Sequence, residues 1–150
     1  MPQSLSNVLI HFVFSTKERY PFIQNDVEDK LYQYITGICH ALKCPLHQIG
    51  GVSDHVHILL SLSRNIAISD LIGDIKAGSS QWIKKQGQSY RNFAWQSGYG
   101  GFSIGKSGFD NAVRYIANQK KHHTTIPFQE EYLALLQKYG VEYDERYLWD

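Results

Sequence analysis

The chain has 150 residues, 43% of them hydrophobic and 19% charged, with a formal net charge of +1. This is the size and balance of one ordinary globular domain, and it excludes disordered and collagen-like chains. The near-neutral total gives no partner signal, although basic residues gather between Lys76 and Arg114 and acidic ones in the last third.

Val8 to Phe14 is β-branched and aromatic and reads as a strand. The loop "STKERYPF" follows, carrying Lys17, Arg19 and the breaker Pro21. From Asp26 to Leu42 the apolar residues Val27, Leu31, Ile35, Ile38 and Leu42 recur at three and four, which predicts an amphipathic helix capped by Asn25 or Asp26. Leu46 to Val52 reads as a second strand and His55 to Leu62 as a third, joined by a short turn. Ile68, Leu71, Ile72, Ile75 and Ile83, with Trp82, mark a second helix from Ala67 or Ser69 to about Lys85. The aromatic, glycine-rich run Phe93 to Ile104 is expected to be a kinked fourth strand. A helix follows from Phe109 to about Lys121, and Pro127 opens a last one through Tyr139, stopped by Gly140.

The order β-α-β-β-α-β-α-α is an α+β pattern. Its first six elements form the split-βαβ, ferredoxin-like unit, an antiparallel sheet like that of RNA-recognition motifs, with helices on one face and the other face free. A single domain over 1–150 is expected: a core of about 6–105, a tyrosine-bearing helix of about 108–122 and a C-terminal helix of about 127–139. Cys39 and Cys44 fit no metal or redox spacing and read as buried thiols of a reducing compartment. No run approaches the roughly 18 apolar residues of a membrane span and the first residues form no basic leader, so a cytoplasmic location is expected.

Two stretches carry chemistry. In "SDHVHILL", His55 and His57 stand at i and i+2 and project to one side of the strand, while Val56, Ile58 and Leu60 claim the opposite side for the core. Two neutral imidazoles so placed can share a metal ion, or they are two half-exposed strand histidines. Asp54 either orients an imidazole from behind or serves as a turn residue. His11, His40 and His47 have no companions, and His122 and His123 read as basic residues at a helix end. In "YIANQ", Tyr115 and Gln119 are four apart and share a helical face. A glutamine carbonyl suits magnesium or manganese. A tyrosine beside such an ion is a candidate nucleophile, because a nearby cation lowers its usual pKa of about 10; a tyrosine can equally be structural.

These stretches, with "DIKAGSS" and "WQSGYGGFSIGKSGFDNAVRYIANQKKHH", resemble the single-tyrosine HUH transposases of bacterial and archaeal insertion sequences, from the first strand through His123. The resemblance implies His55, His57 and Gln119 as ligands of Mg2+ or Mn2+, and Tyr115 as the nucleophile that cleaves single-stranded DNA through a 5′-phosphotyrosine. It further implies recognition of hairpins at the element ends, and a homodimer whose protomers can share active sites, hinged at the glycines Gly105 and Gly108. A prokaryotic, nucleoid-associated enzyme is the corresponding location. Lys17, Arg19, Lys76, Lys84, Lys85 and Arg91 are candidates for DNA backbone contacts, or else solvated surface charges. Ser53 departs from the proline that relatives often carry before the Asp54 position, which alters the turn and not the chemistry.

Rival readings are weaker. Gly100 to Ser107 satisfies the P-loop pattern, but the preceding "NFAWQSGY" is no buried parallel strand. A histidine-triad site would need a histidine where Leu59 stands, and a cupin barrel is contradicted by the helices. A non-catalytic module that holds single strands on a ferredoxin-like sheet is the remaining alternative.

Overall fold

A computed structural model describes residues 2–150. Seven-residue strands β1 (Leu9–Ser15), β2 (Leu46–Val52) and β3 (His55–Ser61) join the shorter β4 (Gly100–Ile104) in one antiparallel sheet of order β2-β3-β1-β4. This is the expected ferredoxin-like topology. Helices α1 (Asn25–Ala41) and α2 (Ile68–Ile83) cover one face, where Phe12, Phe14, Val56, Ile58 and Leu60 meet Leu31, Ile35, Leu71 and Ile75 in the main core. The alternation of β3 thus places its apolar set as expected. Cys39 and Cys44 are free, buried thiols of this core.

The fourth strand is shorter than the expected Phe93 to Ile104. Its upstream half is drawn into the core instead: Phe93 and Trp95 are buried there, and only Trp95 bridges, to Thr16. Lys76 fixes this segment by donating from Nζ to the carbonyls of Gln96 (2.8 Å) and Gly98 (2.6 Å).

The second face of the sheet is not free. Helix α5 (Phe128–Lys138) lies over it, and Val13 and Phe102 from the sheet pack with Phe128, Tyr132, Leu135 and Leu136 in a second apolar cluster. A sheet closed on both sides must bury both sets of side chains, and every residue of β1 is buried. The tyrosine-bearing helix is also divided at Asn118, whose φ of −98° and ψ of 18° separate α3 (Phe109–Ala117) from the short α4 (Gln119–His122). Helix α3 crosses β2 at Gly50, where a Cβ would stand 2.2 Å from the carbonyl oxygen of Ile116. Only glycine permits this approach, and Gly50 is paired in register with His57. The spacing between the histidine strand and the tyrosine helix is therefore set by a missing side chain.

Candidate active site

On the second face, Val13, His57 and Gly50 form one cross-strand row, and Ser15 and His55 the next. His55 and His57 project together as the strand period requires, yet both are fully buried, because α3, α4 and α5 cover them. Their expected exposure on an open sheet is corrected by the helices that the C-terminal quarter supplies.

Glu131, on α5, stands at the centre. One carboxylate oxygen, Oε1, lies 2.9 Å from His57 Nε2, 2.9 Å from His123 Nε2 and 3.4 Å from His55 Nε2. The other, Oε2, accepts a short hydrogen bond from the Tyr115 hydroxyl and one of 3.1 Å from Gln119 Nε2. Gln119 turns its carbonyl oxygen to His55 Nε2 at 3.2 Å. Asp54 Oδ1 lies 2.7 Å from His55 Nδ1, so it orients the imidazole as well as ending the turn. The four residues singled out in the sequence, His55, His57, Tyr115 and Gln119, are brought together within one chain.

Four further residues belong to the cluster, one of them His122, whose Nε2 lies 3.4 Å from Glu131 Oε2. His11, expected to have no companion, is buried with Nε2 at 2.8 Å from His57 Nδ1. His123, expected to be a helix-end base, turns inward. Glu131 carried no local motif. One signal was present: Phe128, Glu131, Tyr132 and Leu135 repeat at three, four and seven, so a carboxylate occupies a core position of an amphipathic helix.

The electrostatics follow from burial. Desolvation lowers His11 to about 3, helped by His57, and lowers His57 to about 4 against the pull of Glu131. Burial also opposes charge on His55, but Asp54 and Glu131 outweigh it and raise the imidazole to about 9. Burial works against the Glu131 carboxylate too, yet hydrogen bonds from His123, His55 and His57 hold it far below the usual carboxylate range. Tyr115 is pushed upward by burial and then by Glu131. The Glu131 carboxylate beside the phenol disfavours its ionisation, so the phenol keeps its proton.

The metal-ligating atoms of His55, His57, His123 and Glu131 all lie within 4.8 Å of one another. Three imidazole nitrogens and a carboxylate are a donor set that a divalent transition ion fits, and Mn2+ accepts it more readily than Mg2+. Of the basic candidates, Lys17, Lys84, Lys85 and Arg91 are exposed and Arg19 lies over the Trp149 ring at 5.5 Å. Lys76 donates to the carbonyls of Gln96 and Gly98, the second of them at the surface.

Paired histidines on the third strand of a ferredoxin-like sheet, facing a helix-borne tyrosine, are the arrangement that the sequence resemblance implies for a transposase. The chain belongs to the family described as "Transposase IS200 like", which its residues 4–119 match. It is thus a transposase by family, a DNA-processing enzyme. Two solved structures share its fold. A candidate transposase from Deinococcus radiodurans R1 superposes with a TM-score of 0.62 at 20% identity, covering 79% of this chain and 98% of its own. A REP-associated tyrosine transposase bound to a REP hairpin gives 0.63 at 14% identity, over 84% of this chain and 74% of its own. No curated protein matches the chain. Among the described residues no helix is long and apolar enough to cross a membrane.

Proposed function

We propose that this chain cuts and rejoins single-stranded DNA at the ends of an insertion sequence, with Tyr115 as the nucleophile. The observation that carries the reading is the convergence of a buried histidine pair, a third histidine and a tyrosine hydroxyl on the single carboxylate of Glu131. His55, His57, His123 and Glu131 would hold Mn2+ or Mg2+, with Gln119 completing the set. When bound there, such an ion supplies Lewis-acid stabilisation of charge on the scissile phosphate.

The protein's own groups divide the remaining work. Glu131 Oε1 faces the imidazoles, whereas Oε2 accepts the Tyr115 hydroxyl hydrogen bond and orients the phenolic oxygen, whose proton is released to solvent as it attacks. The phenolic oxygen then attacks phosphorus, the bond from phosphorus to the 3′-oxygen breaks, and that oxygen leaves as a 3′-hydroxyl after gaining a proton. A 5′-phosphotyrosine remains, and a 3′-hydroxyl of another strand reverses the step without net hydrolysis. Asp54 and His11 fix the orientations of His55 and His57.

Hairpin recognition is supported by the fold shared with a transposase bound to a REP hairpin. Lys17, Arg19, Lys84, Lys85 and Arg91 are the proposed phosphate contacts. The meeting of Tyr115 with the histidines of the same chain supports a site that acts in cis. A homodimer, expected from the resemblance, would then pair two whole sites.

The test is covalency. Wild-type protein, Tyr115→Phe and His57→Ala are incubated with single-stranded DNA from the flanks of the gene and Mn2+, then denatured and separated. Wild type is expected to form a denaturation-resistant protein–DNA adduct and both variants to form none. Hairpin binding by wild type without any adduct would refute the enzyme and leave a binding module.

A further inference from the structure

A cleft of about 390 Å3 opens beside Tyr115, between the end of β4, the start of α3 and the C-terminal end of α5. This lies within the range of about 300 to 1,000 Å3 that small-molecule sites occupy. Tyr115 forms part of its wall and His11 another, so the cleft adjoins the catalytic cluster. Its remaining chemistry is mixed. Leu135 and the ring of Tyr139 are apolar, Asn111 and Ser107 offer hydrogen-bonding groups, and Lys138 supplies a cation. Tyr139 is held rigidly by stacking on Phe102, with ring centroids 4.8 Å apart and planes 17° from parallel. None of these features is used by the cutting chemistry itself.

An aromatic ring with a cation over it, Lys138 Nζ at 5.4 Å from the Tyr139 centroid, together with amide and hydroxyl groups in a cleft walled by the nucleophile, matches a nucleoside with its phosphate. Which nucleoside follows from the geometry of displacement. In an in-line attack the leaving 3′-oxygen departs on the side of phosphorus opposite the tyrosine, whereas the retained 5′-oxygen lies to the side. A cleft walled by Tyr115 lies on the nucleophile's side of phosphorus, which favours the retained nucleotide over the departing one.

We propose that this cleft binds the nucleotide on the 3′ side of the scissile phosphate, the one that stays joined to Tyr115, against Tyr139 and with Lys138 on its next phosphate. The inference rests on the phosphotyrosine reading above. It makes the cleft a positioning subsite that fixes the retained nucleotide after the 5′-side fragment, with its 3′-hydroxyl, has left.

The experiment places 2-aminopurine either just 3′ or just 5′ of the mapped cut in single-stranded DNA from the gene's flanks. Binding to Tyr115→Phe with Mn2+ is expected to change the fluorescence of the 3′ probe strongly and to leave the 5′ probe near its free value. In wild type, an abasic residue at the 3′ position is expected to slow adduct formation at least tenfold. Tyr139→Leu should slow the intact strand to a similar degree and add little on the abasic strand. A response at the 5′ probe alone, or a normal adduct rate with the 3′ abasic strand, overturns the subsite while the tyrosine chemistry stands. Absence of an adduct with any strand overturns both.

Discussion

Replacing Gly50 by alanine probes how the fold positions the nucleophile. The added Cβ would begin 2.2 Å from the Ile116 carbonyl oxygen and 3.2 Å from its carbon, both backbone atoms of α3. Separations below 3.0 Å are not sustained, so the helix must move by about 0.8 Å, the difference between 3.0 and 2.2 Å. Overpacking of this kind costs about 1 to 3 kcal/mol. Tyr115 precedes Ile116 and moves with it, and a displacement near 1 Å at a reacting group costs about 100-fold in rate. Urea unfolding and single-turnover adduct formation with flanking single-stranded DNA measure the two effects. Gly73→Ala in α2 is the control, since nothing lies within 4 Å of its Cβ; it should raise stability by about 0.5 to 1 kcal/mol and leave the rate alone. The reasoning fails if Gly50→Ala destabilises the protein but forms adduct at the wild-type rate, or if it does neither.

Other consequences can be read from the same cluster. Saturating Mn2+ should raise the melting temperature, with about 2.7 kcal/mol of stabilisation at a hundredfold excess over Kd. Calorimetric titration should show Glu131→Gln and His123→Ala binding Mn2+ at least about tenfold more weakly, and unchanged affinity in both would remove them from the ligand set. In chelator, acid should unfold the protein before it protonates ordinary carboxylates. His57 and His11 have folded pKa values of about 4 and about 3, below the unfolded 6.5, so their contribution is complete above pH 6.5 and is lost as pH falls toward 4. Each costs about 1.4 kcal/mol per pH unit in that window. His55, raised to about 9, contributes below pH 6.5 and loses that contribution as pH rises through 9. Urea midpoints at pH 5, 6.5 and 9 should therefore peak at the middle value, and a midpoint that is flat from pH 6.5 to 5 would contradict the buried imidazoles. Lys76→Met should cost about 1 kcal/mol in the same assay, because the half-buried Gln96 carbonyl and the exposed Gly98 carbonyl lose a charged donor.

The features legible in the sequence were those carried by local periodicity. The alternation of Val56, Ile58 and Leu60 gave the strand and its core face, and the same period placed His55 and His57 together. The spacing of Tyr115 and Gln119 put both on one face of a helix even though the helix divides at Asn118. What escaped was tertiary. Nothing near His11 in the chain announces His57, 46 residues away, and His123 meets Glu131 only because the chain turns at Pro127. The closed second face did leave a trace, since "LIHFVF" is apolar on both of its alternating sets apart from His11. Such a run argues for a strand covered on two sides. Lys76 was legible only as a charge: that its ammonium also holds the segment before β4 depends on carbonyls 20 and 22 residues further on.

The central claim is that one phenol in this chain becomes covalently joined to DNA. Proteolysis of the adduct formed with single-stranded flanking DNA and Mn2+, followed by mass spectrometry of the nucleotide-bearing peptide, addresses it directly. The account predicts a single modified residue, Tyr115, linked to the 5′-phosphate of the cut strand, with a free 3′-hydroxyl on the released piece. A nucleotide on any other residue, a 3′-phosphate linkage, or cleavage that leaves no modified peptide would contradict it.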